Sequence, residues 1–149
     1  MDAQNINWLV YPDSRLEISL RDTDADHPLI EVNGNPRGFA SLSGAFLWLS
    51  SLAEGHEFLS LTALPFVSCR PPLAFSVELA LTRNGKTQGT IIRLDKHDQF
   101  QWQIDDGQLE RVACWIHAIA CQPQREYLDV SLTPDSHARL LFRLTSYEH

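Results

Sequence analysis

Phe39-Ala-Ser-Leu42-Ser-Gly-Ala-Phe46-Leu-Trp-Leu49 and Leu109-Glu-Arg-Val112-Ala-Cys-Trp-Ile116-His-Ala-Ile119 lie 70 residues apart and share one spacing. Their large apolar residues step by three, four and three, which sets all four on one face of a helix with 3.6 residues per turn. The pattern predicts helices from about Phe39 to Ala53 and from about Gln108 to Cys121. The turn-rich Gly34-Asn35-Pro36-Arg37-Gly38 leads into the first, and Gly55 stops it. Asp105 or Asp106 can cap the second, and Pro123 ends it.

Outward from these helices the chain alternates as strands do. Leu16 to Leu20 and Pro28 to Val32 flank an acidic loop, Asp22 to His27, ahead of the first helix. Glu57 to Ala63 and Leu73 to Thr82 follow it. Asn84-Gly85 marks a hairpin into Thr87 to Leu94. Gln99 to Ile104 precedes the second helix, and Tyr127 to Thr133 and Ala138 to Ser146 flank the turn at Pro134-Asp135-Ser136. The strands before the helices keep the 70-residue offset, with Ile30 and Val32 falling on Phe100 and Trp102. After the helices an offset of 71 sets Leu59, Leu61 and Thr62 on Val130, Leu132 and Thr133.

Both halves, 14–82 and 87–147, therefore read β-β-α-β-β within one domain, 1–149. The expected fold is α+β, a mostly antiparallel sheet with two helices on one side and an approximate two-fold between the halves.

Composition narrows the classes of function. With 149 residues, 44% of them hydrophobic, the chain can build a core without staples. No apolar run approaches the roughly 18 residues of a membrane span, and the first residues lack the pattern of a secretory signal, so a cytoplasmic protein is expected. The net charge of −7, with only two lysines, argues against a nucleic-acid groove. Cys114 and Cys121 stand two helical turns apart, about 10.5 Å along the axis, too far to bridge, so reduced and partly buried thiols are expected for them and for Cys69.

No catalytic motif is present: no dinucleotide or phosphate loop and no nucleophile elbow. Gly34 to Gly38 resembles a phosphate-binding loop only superficially, since Pro36 removes a donor and no Lys or Ser/Thr follows in place. Asp22, Asp24 and Asp26 begin like a calcium loop, but its sixth and twelfth positions hold His27 and Asn33. Cys114, His117 and Cys121 form a helical stripe that could face zinc; the fourth ligand has no candidate, so helix-face packing is expected instead. His56 and His137 fall in surface loops and His149 ends the sequence. No enzyme activity, cofactor or metal is expected. Trp48 and Trp115 lie off the apolar stripes, where a tryptophan wedges between elements or stands at a binding surface; the wedge is expected. Trp8 and Tyr11 are expected to pack back onto the sheet.

The stretch Ile30-Glu-Val-Asn-Gly-Asn-Pro-Arg-Gly-Phe39, followed by Leu42, Phe46-Leu47, Leu49, Leu52-Ala53 and the strand Glu57 to Leu61, resembles a family of bacterial immunity proteins that accompany polymorphic toxins. Members run from a strand through a Gly-Asn-x-x-Gly-Leu turn into a leucine-rich helix ending in Leu-Ala, then another strand. Phe39 stands where the family has leucine, and the second half carries Asp105-Asp106-Gly107 in place of the Gly-Asn turn. The resemblance implies a non-enzymatic inhibitor that binds a toxin domain and blocks it. The acidic balance suits a basic partner, with Asp22, Asp24, Asp26, Asp105 and Asp106 as candidate contacts. Two other readings stand beside it: a homodimeric assembly module joined through sheet edges, and a small-ligand domain with a pocket between the halves.

Overall fold

Asn35 and Asp105 open the two helices in the computed structural model, which describes residues 10–21, 27–52, 58–69, 73–79, 88–94, 98–121 and 127–145. In chain order the elements are β1 (Leu16–Arg21), β2 (Leu29–Gly34), α1 (Pro36–Leu52), β3 (Phe58–Ser60), a 3₁₀ turn (Leu61–Ala63), β4 (Val67–Cys69), β5 (Ala74–Leu79), β6 (Thr90–Arg93), β7 (Gln99–Ile104), α2 (Asp106–Cys121), β8 (Tyr127–Asp129) and β9 (Arg139–Leu144). The fold is α+β, with β4 as the one strand the sequence pattern did not suggest. Among the described residues no helix is long and apolar enough to cross a membrane.

The strands divide into two sheets, ordered β4-β1-β2-β9-β8 and β3-β5-β7-β6. Each sheet takes the hairpin before one helix and strands after the other, while β4, which follows α1, stays with the hairpin that precedes α1. At the centre of each lies a parallel pair: Leu29 to Gly34 against Arg139 to Leu144, and Gln99 to Ile104 against Ala74 to Leu79. Hairpin partners flank each pair antiparallel. The sequence leaves open whether the halves join edge to edge or face to face; they form two sheets, made by exchange of strands between the halves.

The physical reason lies in the helices. α1 and α2 pack on each other, with the Ser43 hydroxyl donating to the Ala113 carbonyl at 2.8 Å. These positions are 70 residues apart, so the helices meet at matching positions of the two halves, an arrangement compatible with an approximate two-fold. Ser41, Ser43 and Ala45 are buried in addition to Phe39, Leu42, Phe46 and Leu49. Each helix therefore has more apolar and small-residue surface to cover than one small sheet supplies. The two sheets close over it and meet each other: Trp102 lies 6.3 Å from Phe142, and Phe46 of α1 reaches both rings at 5.9 and 6.4 Å.

The strand register corrects one detail of the repeat. Leu59 pairs with Val77, and Leu128 with Phe142, where Val77 and Phe142 hold matching places in β5 and β9. Leu59 therefore corresponds to Leu128, an offset of 69, and not to Val130. Apolar alternation has period two, so a slip of two residues leaves the sequence pattern intact and only pairing partners reveal it.

Both hairpin edges are covered in a matching way. β4 lies parallel to β1, and Leu16 N–H donates to the Phe66 carbonyl at 3.0 Å. On the other sheet the segment after β8 runs along β6, through Gln88 N–H to Ser131 O (2.8 Å), Thr133 N–H to Gly89 O (3.0 Å) and His137 N–H to Ile91 O (2.8 Å).

Candidate functional site

The Gly34 to Gly38 turn is spent on folding. α1 begins at Pro36, three residues before the expected start, because proline suits the first helical position, where its missing N–H costs nothing. Asn35 is the cap: its Oδ1 accepts from Gly38 N–H at 2.7 Å and from Arg15 N–H at 3.1 Å, while its Nδ2 donates to Asp13 O at 2.8 Å. The chain before β1 is thereby clamped onto the helix start, which fills the ground an anion would need. Tyr11 belongs to this clamp rather than to a sheet: its N–H donates to Ser41 Oγ at 2.9 Å. Trp8 lies outside the described residues.

The second helix repeats the device 70 residues on. Asp105 Oδ1 accepts from Gln108 N–H at 2.8 Å, and its carbonyl accepts from Leu109 N–H at 2.9 Å. Asp105 is only 8% exposed, so this candidate contact is a helix cap. Asp106 is half-buried, its Oδ1 accepting from Gly107 N–H at 2.9 Å. Asp22, Asp24 and Asp26 lie outside the described residues, as do His56 and His149.

The cysteine stripe of α2 faces solvent. Cys114 and Cys121 are exposed, which overturns the expected helix-face packing; the buried face is instead Leu109, Val112, Ala113, Ile116 and Ile119. Cys69 is half-buried. Trp48 packs against the core from its border, and Trp115 is 43% exposed.

What the sequence did not suggest is the outer face of the five-stranded sheet. Register sets Glu17, Asn33, Arg143 and Tyr127 in one row, Ser19, Glu31, Leu141 and Asp129 in a second, and Arg21, Leu29 and Arg139 in a third. Glu31, at the centre, is 2% exposed. Its Oε1 lies 2.6 Å from Arg21 Nε and its Oε2 3.5 Å from Arg143 Nε. The Arg21 contact is an ion pair without hydrogen-bond alignment, since Oε1 has no hydrogen-bond partner. Burying a carboxylate is costly unless cations compensate it, so Glu31 anchors both arginines over itself. Their side chains nonetheless stay 62% and 55% exposed. Beside them Tyr127 is 64% exposed. A carboxylate inside the apolar run Leu29-Ile-Glu-Val32 was the available signal, but naming its partners needed the pairing of β2 with β9.

Two open grooves lie near the seam between the sheets, the first of them bordering this face through Asp129 and Arg139. One, of about 650 Å³, is lined by residues including His27, Asp129, Thr133, Ser136 and Arg139. The other, of about 490 Å³, takes in His27, Arg93, Asp135 and His137. Their polar groups serve the seam between the sheets: Ser136 Oγ accepts from Ile91 N–H at 3.2 Å, and His137 Nδ1 accepts from Arg93 N–H at 2.8 Å. The serine hydroxyl and the imidazole nitrogen are thus engaged with backbone, not with each other.

The Thr133 hydroxyl donates to Asp135, and with the local backbone N–H and the nearby His137 it holds the Asp135 carboxyl below its ordinary value of 3.8. A lowered folded-state pKa adds stability above the ordinary value and loses it as pH falls through the folded one. In Thr133→Val the Asp135 carboxyl should titrate nearer its ordinary value, and that acid-range dependence of stability should fade. Carboxyl-carbon NMR titration reads the first, and urea unfolding at several pH values reads the second. An unchanged midpoint would mean that the hydroxyl is not the cause.

Among the described residues no three or more His, Cys, Asp or Glu side chains are grouped to hold one metal ion. Comparison with protein-family models, curated proteins and solved structures finds no match.

Proposed function

We propose that this chain is a non-catalytic, cytoplasmic protein-binding protein, acting as an immunity protein does by covering the active surface of a toxin partner. The observation that carries the reading is the outer sheet face, where Glu31 holds Arg21 and Arg143 in place beside the exposed Tyr127. Arginine and tyrosine are the residues that interfaces concentrate at their energetic centres. An arginine already fixed by an ion pair loses less freedom on binding than a free one.

Size sets a further condition. Three six-residue strands and the three-residue β8, spaced about 4.8 Å apart, give a face of at most about 14 by 17 Å, under about 240 Å². A standard interface takes about 800 Å² from each partner. The segment after β8 would supply part of the remainder. The face itself is balanced, with Arg21, Arg139 and Arg143 against Glu17, Glu31 and Asp129, so the net charge of −7 would aid encounter with a basic partner without selecting this site.

The test is affinity capture from a lysate of the native source, with the wild-type chain and Tyr127→Ala side by side. The wild type should retain one stoichiometric protein partner, and Tyr127→Ala should bind it at least tenfold more weakly at unchanged melting temperature. Capture of nothing, or equal affinity of the variant, would count against the reading.

A further inference from the structure

We propose that His117 and Cys121 form half of a site for a borderline-soft divalent ion such as Zn²⁺, completed by the same pair from a second copy of this chain. The two residues are four apart on α2, and Cys121 Sγ lies 3.5 Å from His117 Nε2. Zinc bonds of about 2.0 Å to nitrogen and about 2.3 Å to sulfur, opened to a tetrahedral angle, separate the two ligand atoms by about 3.5 Å. The pair therefore already stands at the bite that one tetrahedral ion requires. Both side chains are exposed, so neither must leave a packed core to bind.

A second copy follows from coordination number. Zinc in a closed site takes four ligands. Among the described residues no third His, Cys, Asp or Glu is grouped with this pair. Two copies related by a two-fold supply two imidazoles and two thiolates, a Cys₂His₂ set whose thiolates balance the charge of the ion. Each thiol gives up its proton to solvent on binding, one per chain, while each imidazole binds through the Nε2 lone pair and keeps its proton on Nδ1. No redox change is involved. This site lies on α2 and uses none of the residues of the sheet face proposed to bind a partner.

The experiment adds Zn²⁺ to the reduced, metal-free protein and follows molar mass by light scattering, with Co²⁺ as the spectroscopic probe. The mass should double at half an equivalent of Zn²⁺ per chain and revert with chelator, and Co²⁺ should give a thiolate charge-transfer band of tetrahedral type. Cys121→Ser and His117→Ala should each lose both responses, while Cys114→Ser and Tyr127→Ala keep them. All four substitutions are at exposed positions, and circular dichroism verifies their folding. Failure to retain metal would overturn the proposal, leaving the 3.5 Å contact as a thiol–imidazole hydrogen bond. Binding without a change in mass, or responses that persist in Cys121→Ser, would overturn it equally.

Discussion

Replacing Trp102 with alanine should remove about 3–5 kcal/mol of stability, the usual cost of emptying a buried indole site. Set against the roughly 5–15 kcal/mol of a typical domain, that is a large fraction of the total stability. Trp102 is fully buried and joins three elements: it stacks on Phe75 at 6.4 Å, meets Phe46 edge-on at 5.9 Å and touches Phe142 of the facing sheet. Its Nε1–H also donates to the Gln88 carbonyl at 2.7 Å, a buried acceptor that alanine would leave without its partner. Trp115→Ala is the control. That side chain is 43% exposed, and its removal should change stability by no more than about 0.5 kcal/mol. Urea unfolding of the two variants gives the comparison, and similar costs would mean that the sheets do not meet at Trp102.

Gly38→Ala has the second-largest expected effect, and its sign is the informative part. In a helix, alanine is normally preferred to glycine by about 1 kcal/mol. Here a Cβ would stand 2.4 Å from the Arg15 carbonyl oxygen and 2.9 Å from its carbon, both backbone atoms held by the Asn35 clamp. Backbone cannot yield as a side-chain tip does, so overpacking of about 1–3 kcal/mol or more should outweigh the propensity gain. The substitution should therefore destabilise. A rise in the unfolding midpoint would show that the segment before β1 is not seated against α1.

These two residues also show where the fold was legible in sequence. The helices were readable because Phe39, Leu42, Phe46 and Leu49 repeat the spacing of Leu109, Val112, Ile116 and Ile119, and all eight are buried. The caps are half readable: Asp105 and Asp106 both suit the second helix and Asp105 takes the place, whereas Asn35 is hidden in a glycine-rich turn that serves two readings. Strand exchange was not readable, because local periodicity is the same whichever sheet a strand joins. Complementary sizes further obscure the two-fold. Val32 pairs with Phe142 in one sheet, and Trp102 with Val77 in the other. Val32 and Trp102 hold matching positions, so one half is small where the other is large, which lets both rows fill one core.

The candidate site was less legible still. The acidic residues cluster in sequence, yet Asp105 turns inward as a cap. Arg21, Glu31, Arg143 and Tyr127 come from four strands and meet only through the pairing of β2 with β9. No spacing in the chain announces such a cluster.

The most direct measurement is hydrogen exchange on the chain alone and with its captured partner bound. Slowed exchange is predicted in residues 16–21, 29–34 and 127–144, the strands and adjoining segment of the arginine-bearing face. Protection confined to 74–79 and 99–104, in the opposite sheet, would contradict the assignment of that face.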